Sequence, residues 1–287
     1  MTEYNNELKL NLKNLPHIIP SNIKKSSFNI KMSDGEIIKC YLIEPKNIDN
    51  DLPVIFYTHG GGFFAPISKS MFENAFFFAN NLNCRVFMPE YRLTPKYTAP
   101  TQSNDCYESL IYIYDHFKDF KIDINKIITY GESAGGCLAT LVCQRAYDEN
   151  KCKIIGQVLI YPVIDNNIEN YDSMSEYNKG VFSNVTADSM WKLYLKNSKK
   201  LKYSIPINRI NFKDLPPAYI EPHEIDVFRD EAICYGKKLW DDNVYAEINL
   251  IIGSYHGVDS ERYANYFQKI LKHRCKIINS MFKKEFN

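Results

Sequence analysis

A chain of 287 residues with 45% hydrophobic and 24% charged residues has a globular composition, ample for a sizeable core in one large domain or two small ones. Basic and acidic residues nearly cancel to a formal charge of +1, which argues against nucleic acid or an anionic membrane surface as a partner. The eight cysteines are scattered without a C-x-x-C pair or metal-ligand spacing, and they read as reduced, buried small hydrophobes.

The N-terminal "MTEYNNELKLNLKN" has no apolar stretch of signal-peptide length, and no run approaches the length of a membrane span. A soluble, cytoplasmic protein without stable membrane insertion is the expectation. "FNIKMSDGEIIKCYLIEP" reads as a hairpin around the turn residues "SDGE". Strand and helix then alternate. "LPVIFYT" is a buried strand, followed by a glycine-rich loop and the helix "MFENAFFFANNL". "CRVFMPEY" (strand), "NDCYESLIYIYDHFKDF" (helix), "KIITYG" (strand), "SAGGCLATLVCQRAYDEN" (helix) and "GQVLIYP" (strand) continue the pattern. Such alternation predicts a mostly parallel sheet covered by helices on both faces.

From residue 165 to 214 the alternation breaks. Only "TADSMWKLYLK" looks helical there, and an excursion of that length reads as a cap over the sheet. "PPAYIEP", "DEAICYGKKLWDD", "YAEINLIIG" and "SERYANYFQKILKHRCKIINSMF" then resume as strand, helix, strand and long closing helix. The basic residues near the C-terminus read as the solvated face of that last helix.

Two stretches carry chemistry. "GESAG" fits G-x-S-x-G between a strand and a helix, where small residues let the turn close and leave Ser133 exposed. "THGGGFFAP" after the first buried strand has two readings. Gly60, Gly62 and Ala65 satisfy a dinucleotide fingerprint, with Glu90 as its ribose acid; alternatively the bare amides form an oxyanion loop. The later "GESAG" decides for the hydrolase, because a dinucleotide site has no use for it. Such a serine needs a base and an acid in the order Ser, acid, His. Of six histidines, only His256 follows the last strand and precedes the last helix, so His256 is the expected base. The acid is open between Glu221, Glu224 and Asp226, with Asp230 and Glu231 just beyond. Glu132 is expected to brace the serine turn.

Taken together, "HGGGF", "YRLTP", "GESAGGCLA", "GQVLIYPVID", "LPPAYIEPHEIDVFRDE" and "YHG" resemble the hormone-sensitive-lipase-like family of α/β-hydrolase carboxylesterases, from near residue 28 to the C-terminus. The resemblance implies one α/β-hydrolase domain over 1–287, with a small helical cap from residues near 1–25 and 165–214. It implies Ser133, Asp226 and His256 as the catalytic triad and the amides of Gly61, Gly62 and Ala134 as oxyanion donors. It also implies ester hydrolysis through an acyl-enzyme on a small-molecule ester, without metal or cofactor. Short acyl groups suit the short cap, and a homo-oligomer is compatible with the sequence. Phe63, Phe64, Trp191 and Tyr194 are candidates for an apolar substrate pocket. The runner-up activity is that of an amidase or arylformamidase; a non-catalytic binding protein would be expected to lack His256. Pro66, Ile67, Lys96 and Val258 depart from the family pattern, and Lys96 puts an ion pair near "YRLTP" in doubt.

Overall fold

The computed structural model describes residues 19–48, 50–177, 182–198, 202–260 and 265–285. β1 (Ile23–Lys31) and β2 (Ile37–Pro45) form the expected antiparallel hairpin. Residues 23–25, expected in the cap, belong to this strand instead. The polar run "KKSS" (24–27) hides a strand whose Ile23 is buried and pairs with Pro45. Of the rest of the expected N-terminal cap, residues 1–18 lie outside the described residues and 19–22 lead into β1.

The alternating section folds as β3 (Leu52–Thr58), α1 (Lys69–Leu82), β4 (Arg85–Pro89), α2 (Thr101–Asp115), β5 (Ile122–Glu132), α3 (Ala134–Glu149) and β6 (Gly156–Ile160). After the excursion come β7 (Ala218–Glu221), β8 (His223–Ile225), α6 (Arg229–Asp241), β9 (Ala246–Ile248), β10 (Ile251–Tyr255) and α7 (Asn265–Lys283). Eight strands make one sheet in the order β1-β2-β4-β3-β5-β6-β7-β9, parallel from β4 to β9. β3 shows why it is covered on both sides. Val54 and Phe56 point to the layer containing α2 and α3, Ile55 and Tyr57 to the layer containing α1 and α7, and all four are buried.

The excursion holds α4 (Ser173–Glu176) and α5 (Asn184–Leu195). Ser183 caps α5 by accepting from the Thr186 amide at 3.2 Å. The helix buries Ala187, Met190, Trp191 and Tyr194, a stripe at helical spacing.

One expected strand is in fact two. "YAEINLIIG" divides at Asn249 and Leu250: β9 joins the main sheet, while β10 pairs in parallel with the short β8. At Asn249 the pairing ends: its amide makes the last bond to the sheet, to the Ile220 carbonyl, and its side chain donates to the Tyr219 hydroxyl. The expected start of the last helix also differs, since Val258–Ser260 is a 3-10 turn and residues 261–264 lie outside the described residues. Among the described residues, no helix is long and apolar enough to cross a membrane.

Candidate active site

Ser133 stands between the end of β5 and the first residue of α3, with φ +55° and ψ −126°. An L-residue reaches this region only when its surroundings enforce it. Here they do. The Ser133 amide donates to the Ile160 carbonyl at 3.0 Å, and its carbonyl accepts from Val163 at 3.0 Å. A Cβ on Gly131 would lie 2.2 Å from the Gly135 carbonyl oxygen, and one on Gly135 would lie 2.1 Å from that of Thr58. The glycines are therefore a condition of the turn.

β10 delivers His256, and the segment after β8 delivers Asp226. His256 Nε2 lies 2.9 Å from Ser133 Oγ, and His256 Nδ1 lies 2.8 Å from Asp226 Oδ2. The other Asp226 oxygen accepts from the Phe228 amide at 3.0 Å. Ser133 is 4% exposed and His256 7%. The remaining acid candidates are engaged elsewhere: Glu221 binds Arg274, Glu224 accepts from Gly253, Asp230 from Ser173, and Glu231 from Ile164.

The glycine loop follows β3. Gly61 (φ +104°) and Gly62 (φ +59°) occupy left-handed conformations, and the Gly61 carbonyl accepts from Phe64 and Ala65. Among the described residues, the amides of Gly61 and Gly62 donate to no backbone acceptor. Ala134 opens α3, so its N–H has no acceptor within the helix. His59 shapes the loop: Nδ1 lies 2.8 Å from the Gly60 carbonyl, and the ring stacks on Tyr91 at 4.1 Å. Burial pushes His59 down to about 4, so it is neutral near pH 7.

Glu132 lies against this loop. A Cβ on Gly60 would be 3.2 Å from Glu132 Cγ. Burial, reinforced by Asp259, pushes its carboxyl up to about 8, and Tyr57 and Arg274 offset only part of that rise. Of the four aromatic candidates, Phe63, Trp191 and Tyr194 are buried together, with Phe63 stacked on Tyr194 at 3.9 Å. Phe64 is half-buried, with its ring over Gly62. Lys96 is exposed, and Arg92 in the same segment binds Asp105 at 2.6 Å and Asp34 at 2.7 Å.

The family model described as the alpha/beta hydrolase fold matches residues 55–260, a span that holds the glycine loop, the serine turn and the histidine. The chain belongs to this family. An arylesterase of Saccharolobus solfataricus is 30% identical over 219 residues, 75% of this chain and 70% of that one. An esterase of Mycobacterium tuberculosis is 28% identical over 212 residues, 72% of this chain and 66% of that one. The solved structure of a bacterial heroin esterase superposes with a TM-score of 0.88 at 28% identity, over 98% of this chain and 90% of that one. Within the α/β hydrolases the chain is of the hormone-sensitive-lipase-like carboxylesterase type.

Several residues around His256 were not singled out by the sequence. The Tyr161 ring lies 4.7 Å from the His256 ring, Phe182 4.8 Å and Phe228 5.1 Å. Behind them Asp259 and Arg274 form a buried ion pair at 2.7 Å. A readable signal existed for Arg274: it falls on the apolar stripe of α7, with Ile270, Leu271, Ile278 and Met281.

Proposed function

We propose that this protein is a serine carboxylesterase that hydrolyses short- to medium-chain esters through an acyl-enzyme. The observation that carries the reading is the relay Ser133 Oγ–His256 Nε2, His256 Nδ1–Asp226, in an α/β hydrolase whose relatives include esterases. His256 takes the Ser133 proton as Oγ attacks the carbonyl, and Asp226 holds the ring and stabilises the imidazolium. The amides of Gly61, Gly62 and Ala134 receive the oxyanion, each contributing about 3 kcal/mol of transition-state stabilisation. His256 then protonates the leaving alcohol, and a water molecule repeats the sequence to release the acid.

The excursion between β6 and β7 serves as the cap, with Trp191 and Tyr194 backing the oxyanion loop through Phe63. Phe64, the most exposed of the four aromatics, lines the substrate entrance. Low exposure of Ser133 and His256, with Phe182 over the imidazole, favours small acyl groups. The eight cysteines are all free, which suits a reducing, cytoplasmic location.

The test is a panel of p-nitrophenyl esters of rising chain length, run beside aryl amides and formyl-kynurenine. Short esters are expected to be cleaved fastest, and cleavage of the nitrogen-linked substrates alone would replace the esterase with an amidase. A fluorophosphonate probe is expected to label Ser133, and His256→Asn to slow that labelling severely. Labelling at another residue would remove the triad assignment.

A further inference from the structure

α7 carries Arg274, whose side chain is completely buried. A guanidinium keeps its charge even there, so its burial demands anionic partners with good geometry. Nε and Nη2 donate to Glu221 Oε1 at 3.1 and 2.6 Å, and Nη1 donates to Asp259 Oδ1 at 2.7 Å. Nη1 also reaches the Tyr130 hydroxyl at 3.2 Å. Both acids respond. Burial pushes Glu221 up, but Arg274 and His223 outweigh it and hold the carboxyl down at about 2. Asp259 is likewise held below its ordinary value, with Arg274 and Tyr161 outweighing burial.

The two carboxylates flank the residue that meets Ser133. Downstream, Asp259 sits in the 3-10 turn three residues after His256. It also accepts from the Asn74 amide at 2.9 Å and from the hydroxyl of Tyr161, whose ring lies against His256. Upstream, Glu221 lies 3.2 Å from His223 Nε2, and His223 Nδ1 meets the carbonyl of Tyr255 at 2.9 Å. Tyr255 immediately precedes His256. Between these anchors the Gly257 carbonyl accepts from the Ser260 amide at 3.1 Å and Val258 is buried, while Gly257 itself has φ +79° and space for a Cβ.

We propose that Arg274 is a positioning residue for His256: by holding Glu221 and Asp259 at once, it fixes both ends of the loop that aims the imidazole at Ser133. The inference rests on His256 being the base. Arg274 touches no reacting atom; its contribution is the geometry of the 2.9 Å contact between His256 and Ser133. Displacing such a contact by about 1 Å costs up to roughly a hundredfold in rate.

Arg274→Lys tests this, because an ammonium keeps the charge but cannot bridge both carboxylates in a fixed fork. Turnover of p-nitrophenyl acetate is measured per active site titrated with fluorophosphonate, so that unfolded protein is not counted. The expected result is a fall in kcat per titrated site of about tenfold with KM within about twofold of wild type. Tyr161→Phe keeps the ring and removes only the hydroxyl bonded to Asp259; its expected effect is a fall of about threefold in the same quantity. It decides the question if the lysine variant does not fold. Wild-type turnover per titrated site, whatever the loss in Tm, would make Arg274 a purely structural residue. Failure of the wild type to label at Ser133 would instead overturn the triad beneath the inference.

Discussion

The turn that holds Ser133 and the loop that holds His256 reach similar precision by opposite means. Around Ser133 the main chain does the work: at Gly131 and Gly135 a Cβ would stand little more than 2 Å from a carbonyl oxygen. Around His256 the backbone has room. Beyond its bonds to Ser133 and Asp226, the loop is held by side chains from other elements, among them Glu221, His223, Tyr161, Asn74 and Arg274. Steric exclusion shapes the serine turn without an ion pair, whereas the histidine loop depends on buried ions whose loss is costly.

The largest expected effect comes from removing the central cation. Arg274→Met leaves Glu221 and Asp259 buried without it and should destabilise the fold by about 3–5 kcal/mol, read from urea unfolding. An unchanged midpoint would mean that the histidine loop is held by something else. Gly135→Ala places a Cβ 2.1 Å from the Thr58 carbonyl oxygen, backbone that cannot swing aside. It should cost about 3 kcal/mol or more and abolish labelling of Ser133 by fluorophosphonate.

A third effect separates the two regions by pH. Glu132 has a folded-state value near 8 against an ordinary 4.5, so the folded protein binds the extra proton. Its contribution to stability is fully present below pH 4.5 and is lost as pH rises through 8. Glu221, held at about 2, has the reverse sign: its contribution is present above pH 4.5 and is lost as pH falls through 2. Glu132→Gln should therefore flatten the alkaline decline in Tm, and Glu221→Gln the acid one. An alkaline decline that persists unaltered in Glu132→Gln would mean that Glu132 is already ionised in the folded protein.

The smallest effect is expected at Gly257. Alanine there meets no neighbour, so only the left-handed φ is penalised, by about 1 kcal/mol. A loss as large as that of Gly135→Ala would erase the contrast between the two regions.

The same contrast explains what was legible. The serine turn and glycine loop are local: sterics act within a few residues, so "GESAG" and "HGGG" carry their own geometry. The alternation of strands and helices after β3 and the helical layers also follow from periodicity, because one buried face imposes one spacing. The ordering of the histidine was readable from topology, but the acid was not resolved by spacing alone. Glu221, Glu224 and Asp226 lie within six residues, and which of them faces His256 depends on β8. That strand exists only because β10 leaves the main sheet to pair with it.

The sequence by itself determined the α/β layering, the serine turn and the glycine loop, since short-range sterics and hydrophobic period act along the chain. Spacing left the acid open and the resemblance implied Asp226, the carboxylate that meets His256, but only the tertiary structure decided what lies behind it. Arg274 is 53 residues from Glu221 and 15 from Asp259. Its meaning comes from burial, and burial exists only once α7 has packed against the sheet.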